Sequence, residues 1–396
     1  MLEITRNSTS EKFAPGVSVT TDSKARTNFA LLRLFFAALV IISHTAELHD
    51  GNRKRELLTH IFGTVSSGEV AVAAFFFISG YLITGSFLNS TSVFDYLAKR
   101  ICRIYPGFIV AFFVCVFIVD PLGGGIFTVT GLATSAFHGI LYPLLLLTHA
   151  AALSQPPANM AFQGTYYPLV DGAMWTIPYE FRCYLMVLLL GISGILRSRT
   201  VLLAMTATLL LLCVLFPEIY HPANSGSVEY SSNSTLWKVV DEIIGNPRTS
   251  VRFFAVFLCG ALAHSYRESL RFSPATVMAS LFALCVGMSS TAFASVALAV
   301  FGGYLILALA TALGQPRLQA LNPKVDISYG LYLYGWPVEK LIFWYFPKMS
   351  LVIAGGLTLF FSALLGALSW YLVEKRFIRI SGSLTGARGQ FRLRKQ

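Results

Sequence analysis

The residues best suited to chemistry are an arginine and a histidine inside one long apolar segment, ARTNFALLRLFFAALVIISHTAELHD. Arg33 and His44 are spaced by three helical turns to within about 20°, so they share one helix face at a separation of about 16 Å. An ionisable group inside a membrane helix is costly and by default marks a functional site or a wet cavity. Glu47 follows His44 by one turn and is placed to orient an imidazole. An arginine low in the membrane and a histidine above it would thus line one stripe of this helix.

A structural interpretation of the same residues stays open. Arg33 would then extend to the cytoplasmic interface and His44 would be a packing residue near the outer interface. Glu47 would face solvent.

A second group of polar residues lies in DYLAKRICRIYP, residues 95–106. Arg100 and Arg103 are one turn apart on one helix face, and a guanidinium pair suits bidentate contact with phosphate. The alternative is that both arginines only follow the positive-inside rule, since cytoplasmic loops carry an excess of Lys and Arg.

A third group lies in MWTIPYEFRCY, residues 174–184, which places Trp175, Glu180, Arg182 and Tyr184 at or near membrane depth. Glu180 and Arg182 are two positions apart and point to different helix faces, so we expect them to have separate partners.

The elements that carry these residues are apolar helices. The chain is 55% hydrophobic and 12% charged, whereas a soluble chain carries roughly 25% charged residues. Its apolar blocks, of about 17 to 25 residues, are each long enough to cross roughly 30 Å of hydrocarbon as a helix. We predict an all-α polytopic membrane protein in which the lipid bilayer is the solvent, with about ten transmembrane helices. The predicted helices are Phe29–Leu48, Val70–Leu88, Ile104–Val119, Met174–Ile195, Val201–Phe216, Val251–Ser265, Ala275–Met288, Ala292–Ala312, Ile327–Phe346 and Leu351–Val373.

The distribution of Lys and Arg predicts the topology. Placing both termini in the cytoplasm puts most of these residues on the inner side, as expected. A further apolar stretch, Gly131–Leu153, is predicted to be re-entrant or interfacial, because a full crossing there would move Arg197 and Arg199 to the wrong side. We divide the chain into a flexible cytoplasmic tail (1–26), a membrane domain (27–380) and a basic cytoplasmic tail (381–396).

The remaining composition argues against two kinds of ligand. The net charge of +11 follows from this topology, and no nucleic-acid partner is expected. The six cysteines have spacings that match neither a zinc site nor a disulfide framework, so no metal is expected.

Six fragments, in order, resemble the membrane acyltransferase-3 family. They are LLRLFFAALVIISH (31–44), FFFISGYLI (75–83), KRICRIYP (99–106), WTIPYEFRCY (175–184), DISYGLYLYGWPV (326–338) and SWYLVEKRF (369–377), and the resemblance runs from about Asn28 to Arg379. It implies a ten-helix enzyme of the bacterial cytoplasmic (inner) membrane. Such an enzyme moves an acyl group, usually acetyl from acetyl-CoA, onto hydroxyls of carbohydrates destined for the cell surface.

The resemblance also implies roles for single residues. Arg33 and His44 match the paired residues of the family's first helix, with His44 essential to transfer, and Arg100 with Arg103 matches the arginine pair that holds CoA phosphates. We predict His44, Glu47 and Glu180 as catalytic residues; Arg33, Arg100 and Arg103 as acyl-CoA contacts; and Trp175, Tyr184 and Trp336 as acceptor contacts. Gly335 departs from the family, which usually has a histidine before this Trp-Pro.

A mechanism follows as a hypothesis. The pantetheine arm runs up the first helix past Ala37 and Val40, and the thioester arrives near His44. His44 acts as general base on the acceptor hydroxyl or takes the acyl group itself. Rival hypotheses are a transporter or flippase of a lipid-linked saccharide, a sensor or scaffold that keeps the fold, and a transferase of succinyl or another acyl group.

Overall fold

The structure is a computed structural model that describes residues 18–125, 146–157, 161–216, 244–314, 323 and 325–382, with side chains from residue 29 onward. Within these ranges the chain is helical and contains no strand. The helices are α1 (Ser18–Asp50), α2 (Leu57–Phe62), α3 (Ser67–Leu88), α4 (Val93–Leu122), α5 (Ile177–Ile192), α6 (Arg199–Leu215), α7 (Pro247–Ser265), α8 (Pro274–Met288), α9 (Ala294–Leu313), α10 (Ser328–Tyr345) and α11 (Leu351–Gly382).

Each predicted span coincides with one of these helices, and the short α2 is additional. Five of the described helices, α1 from Phe29 onward, α3, α4, α9 and α11, are long and apolar enough to cross a membrane. Helices α6 and α8 are apolar but shorter. The protein is therefore an all-helical, multi-pass membrane protein. The predicted segment Gly131–Leu153 falls mostly on residues outside the described ranges.

Helix α4 begins at Val93, and the prediction of a start near Ile104 was wrong. The Ser92 side chain accepts a hydrogen bond from the Asp95 backbone N–H and caps the helix. Asp95 then pairs with Lys99 one turn later, at 2.9 Å between Oδ1 and Nζ. Capping and pairing extend the helix into polar sequence, so Arg100 and Arg103 lie inside a helix.

Helices α1 and α10 lie side by side and run in the same direction. Arg33 pairs with Asp326 immediately before α10, and His49 packs on Phe343 near its other end. Between them, Thr45 donates a hydrogen bond to the buried carboxylate of Glu339, at 2.6 Å between Oγ1 and Oε1. Three contacts in the same order along both helices fix their register.

The other contacts give the directions of α3, α4 and α5. Helix α3 is antiparallel to α1, since Phe29 meets Tyr81 and Phe36 meets Phe75. Helix α5 is parallel to α3, because Glu180 bonds Ser79 and Gly191 faces Phe87.

Helix α4 runs with α10, since Arg103 meets Asp326 and Leu122 accepts a hydrogen bond from Tyr345. Because α10 runs with α1, α4 and α5 point in opposite directions. Helix α5 therefore begins on the side of the bundle on which α4 ends.

Glycines let α3 and α7 approach closely. A Cβ added at Gly80 would lie 2.0 Å from the Phe257 carbonyl oxygen, and one at Gly260 would lie 2.1 Å from the Phe77 carbonyl oxygen. Small residues allow close backbone approach where hydrophobic driving force between helices is weak. Both α3 and α7 pack against α5, the helix that carries Glu180.

Candidate active site

His44 lies on the face of α1 that packs against α10. Its Nδ1 is 3.4 Å from the Glu47 Oε2, and its ring is in edge-to-face contact with Trp336, at 5.0 Å between centroids. Nε2 has no hydrogen-bond partner among the described residues. A carboxylate at Nδ1 orients the ring and fixes its tautomer, which leaves Nε2 as the proton acceptor.

Glu47 is buried and its carboxylate has three partners. Besides His44, its Oε1 is 2.9 Å from the Arg53 Nε, and the Tyr167 hydroxyl lies beside it. Burial acts to lower the pKa of Arg53, but the Glu47 carboxylate outweighs this effect and the pKa is raised. Arg53 and Glu47 therefore form an ion pair beside His44.

Lys340 anchors the segment that carries Tyr167. Its Nζ is buried and donates to the Thr165 Oγ1 at 2.8 Å and to the Tyr167 carbonyl oxygen at 2.7 Å. The same ammonium group lies 4.8 Å from the centroid of the Phe162 ring. The Tyr167 ring then packs on Trp336, at 6.1 Å between centroids. We call His44, Glu47, Arg53, Tyr167 and Trp336 the histidine cluster.

Arg33 lies at the other end of the α1–α10 contact. Its Nη1 is 2.9 Å from the Asp326 Oδ2, and the Arg103 Nη2 is 3.0 Å from the same oxygen. The second terminal nitrogen of Arg103, Nη1, is 3.7 Å from the Glu374 Oε2, and Glu374 lies in a π-helical turn of α11. Asp326 thus joins α1, α4 and α10 through charge, and Glu374 adds α11.

Arg100 has different neighbours from Arg103. Its guanidinium lies 6.0 Å from the Tyr96 ring centroid and 5.9 Å from that of Tyr184, and its Nη2 is 3.3 Å from the Ser86 Oγ. No carboxylate is within ion-pair distance of Arg100 among the described residues, and its buried Nε has no partner there. We call Arg33, Arg100, Arg103, Asp326 and Glu374 the arginine cluster.

The site residues predicted from the sequence divide between the histidine cluster, the arginine cluster and the start of α5. Glu47 and Trp336 contact His44. Glu180 instead accepts hydrogen bonds from Ser79 at 2.9 Å and from Tyr184 at 2.6 Å, so it lies beside Arg100. Trp175 is 40% exposed and packs on Tyr179 and Phe253 at the start of α5.

Comparison with known proteins places this arrangement in a family. A family model described as "Acyltransferase domain" matches residues 26–373. The chain belongs to the acyltransferase-3 family. This match confirms the resemblance and makes the protein an acyltransferase enzyme.

Two relatives match nearly the whole acyltransferase chain. An O-acetyl transferase of Shigella phage Sf6 is 27% identical, over 88% of this chain and 95% of the relative. Nodulation protein 10 of Rhizobium leguminosarum bv. viciae is 30% identical, over 92% of this chain and 96% of the relative. No solved structure matches the chain.

Several residues of this acyltransferase site were missed from the sequence. Asp326 and Glu374 stand in the fragments that carry the resemblance, but nothing in the sequence pairs them with Arg33 or Arg103. Lys340 lies in a predicted span, and an intramembrane charge is the signal that identified Arg33. Arg53 and Tyr167 lie between helices, where spacing predicts no contact with His44.

Proposed function

We propose that the protein is a membrane O-acyltransferase that moves an acyl group, acetyl in the first instance, from cytoplasmic acyl-CoA to a hydroxyl of a cell-surface or exported carbohydrate. The observation that carries the proposal is an imidazole with Nδ1 on a carboxylate and Nε2 without a partner, in a chain of the acyltransferase-3 family. The O-acetyl transferase among the relatives supports an oxygen acceptor and an acetyl donor.

The proposal includes a topology of about ten spans in the bacterial inner membrane, with both termini in the cytoplasm. The alternating directions of α1, α3, α4 and α5 support the first crossings. Arg33, Arg100 and Arg103 lie at one end of the bundle, which the positive-inside rule assigns to the cytoplasm.

The donor enters at the arginine cluster in this proposal. Arg100 has no carboxylate partner in the described ranges, so it is the first contact for a CoA phosphate. Arg33 and Arg103 already share Asp326, and a phosphate would have to compete with that carboxylate for them. The pantetheine arm then extends along α1 toward His44.

The route along α1 requires helix movement. Ala37 and Val40, which lie between Arg33 and His44, are 0% and 3% exposed. The arm therefore passes this stretch only after neighbouring helices separate. A rise of about 16 Å separates the two polar residues, which is comparable to the reach of an extended pantetheine arm.

At the histidine cluster, Nε2 of His44 takes the proton of the acceptor hydroxyl while the oxygen attacks the thioester carbonyl carbon. The tetrahedral intermediate then expels CoA thiolate by C–S cleavage, and the thiolate takes the proton from the imidazolium. The products are an O-acyl ester and free CoA. Transfer through an acyl-imidazole gives the same products in two steps.

The test is transfer of labelled acetyl from acetyl-CoA to a glycan by the purified protein in detergent. His44→Ala should lose about 10² to 10⁴ in turnover while still inserting and folding. His60→Ala, at an exposed position of α2, is the matched control and should keep full turnover. Undiminished transfer by His44→Ala would refute the proposed role, and a wild-type protein that transfers no acetyl in detergent would favour a transporter.

A further inference from the structure

Trp336 has a buried hydrogen-bond donor without a partner. The side chain is 6% exposed, and Nε1 is fully enclosed yet bonds to no described residue. A buried indole N–H usually finds an acceptor, and leaving one unsatisfied costs free energy. An orphaned donor in a packed interior therefore points to an acceptor that arrives with a ligand.

The Trp336 side chain lies next to the His44 imidazole and shares its neighbours. The indole ring is 5.0 Å from the His44 ring and 6.1 Å from the Tyr167 ring, between centroids. Both neighbours belong to the histidine cluster through Glu47. The unpartnered N–H and the unpartnered Nε2 of His44 thus lie in one small region between α1 and α10.

Gly172 packs closely against the indole ring, next to its N–H edge. A Cβ at this position would lie 2.6 Å from Cε2 and 2.5 Å from Cζ2 of Trp336. Cε2 is bonded to Nε1, so any side chain at position 172 would press on the edge that carries the donor. The backbone here approaches the indole because residue 172 has no side chain.

We propose that the Trp336 Nε1–H donates a hydrogen bond to the thioester carbonyl oxygen as that oxygen becomes negatively charged. The inference rests on the proposed function. When the acceptor oxygen bonds to the carbonyl carbon, the C=O electron pair moves onto the carbonyl oxygen. Collapse of this intermediate restores C=O, breaks C–S and releases CoA thiolate, which is protonated by His44.

A fixed donor next to the general base is what this step requires. Donors aimed at a developing oxyanion act strongly in a water-poor site because they need no reorganisation during the reaction. The resting protein has no oxyanion, so the N–H has no partner until the acyl group arrives. The same edge-to-face contact that holds His44 also holds the indole in place.

Trp336→Phe removes the N–H and keeps an aromatic ring against His44. We expect kcat to fall about 10²- to 10³-fold, with unchanged KM for acetyl-CoA and for the glycan. Trp344→Phe, on the same helix and packed on Phe162, is the matched control and should keep its kcat. Gly172→Ala is a second variant that keeps the Trp336 side chain but displaces its ring, and it should also lower kcat.

A binding measurement separates this role from a packing role. S-trifluoroacetonyl-CoA forms a tetrahedral oxyanion on addition of a hydroxyl, whereas S-acetonyl-CoA stays a ketone. The wild type should prefer the fluorinated analogue in the presence of the glycan, and Trp336→Phe should lose that preference while keeping its affinity for S-acetonyl-CoA.

Retained affinity for S-acetonyl-CoA also shows that the variant is folded. A rise in KM for the glycan with unchanged kcat would overturn the inference and make Trp336 a surface for the acceptor. Absence of acetyl transfer by the wild type would overturn the proposed function itself, and the inference with it.

Discussion

Asp326 neutralises two arginines from two helices, so its replacement has a calculable cost. Asp326→Asn keeps the shape of the side chain and removes its charge. Arg103 would retain Glu374 at 3.7 Å, but Arg33 would have no carboxylate partner in the described part of the chain. Removing one partner of a buried ion pair costs about 3–5 kcal/mol, because the other charge stays uncompensated.

Partial exposure reduces this cost. The side chains of Arg33, Asp326 and Arg103 are 23%, 21% and 18% exposed, so solvent screens part of the orphaned charge. We therefore expect the free energy of unfolding to fall by about 3 kcal/mol, the lower end of the range. The measurement is unfolding by SDS in mixed micelles, followed by circular dichroism.

Two variants control this measurement. Glu268→Gln breaks the Arg267–Glu268 pair, in which the glutamate is 80% exposed, and should change the free energy of unfolding by about 0–1 kcal/mol. Adding Arg33→Gln to Asp326→Asn removes the orphaned charge and should recover part of the loss. If Asp326→Asn were no more destabilising than Glu268→Gln, the electrostatic reasoning would be refuted.

Three further predictions concern catalysis, packing and the segment beside the site. Glu47→Gln should lower kcat by about 10²-fold or more, since the imidazole loses its orienting charge. Steady-state rates measure this effect under conditions in which the variant and the wild type are equally folded. An unchanged kcat would remove Glu47 from the mechanism. Gly80→Ala should destabilise the protein by about 1–3 kcal/mol because the new methyl meets a carbonyl oxygen of α7. At Gly356 a new methyl would have nothing within 4 Å, so Gly356→Ala should stabilise the protein by about 0.5–1 kcal/mol. SDS unfolding compares the two variants, and equal effects would contradict the close approach of α3 to α7. Lys340→Met should speed backbone hydrogen exchange between residues 161 and 173, while Lys348→Met, at an exposed position, should leave it unchanged.

Hydropathy and length predicted the helices well because both report the cost of exposing a backbone to lipid. They predicted the start of α4 poorly for the same reason. Residues 93–103 are polar, and what makes them helical is the Ser92 cap and the Asp95–Lys99 pair, which no average of hydropathy detects. The apolar block marks where a helix meets lipid, and capping marks where it begins.

Helical periodicity placed Arg33 and His44 on one face, and both do contact residues at or in α10. Their partners come from distant sequence and depend on how the helices pack. Gly335 illustrates this limit. A Cβ there would lie 2.7 Å from the Ile41 side chain, so the close approach of α1 to α10 accounts for the glycine where the family usually has histidine.

The two clusters satisfy their polar groups differently. In the arginine cluster, Asp326 and Glu374 already match two arginines, and Arg100 is left with a buried Nε that has no partner. In the histidine cluster, Glu47 is fully engaged, whereas the Trp336 N–H is not.

Most buried donors in proteins are paired, and each cluster contains one that has no described partner. The proposal assigns an incoming acceptor atom to each of these two donors. Acyl-CoA carries such acceptors at both ends, phosphate oxygens at one and a thioester oxygen at the other. In the proposed reaction, Trp336 of α10 would meet the thioester oxygen, and Arg100 of α4 would meet the phosphate oxygens of the same extended donor molecule.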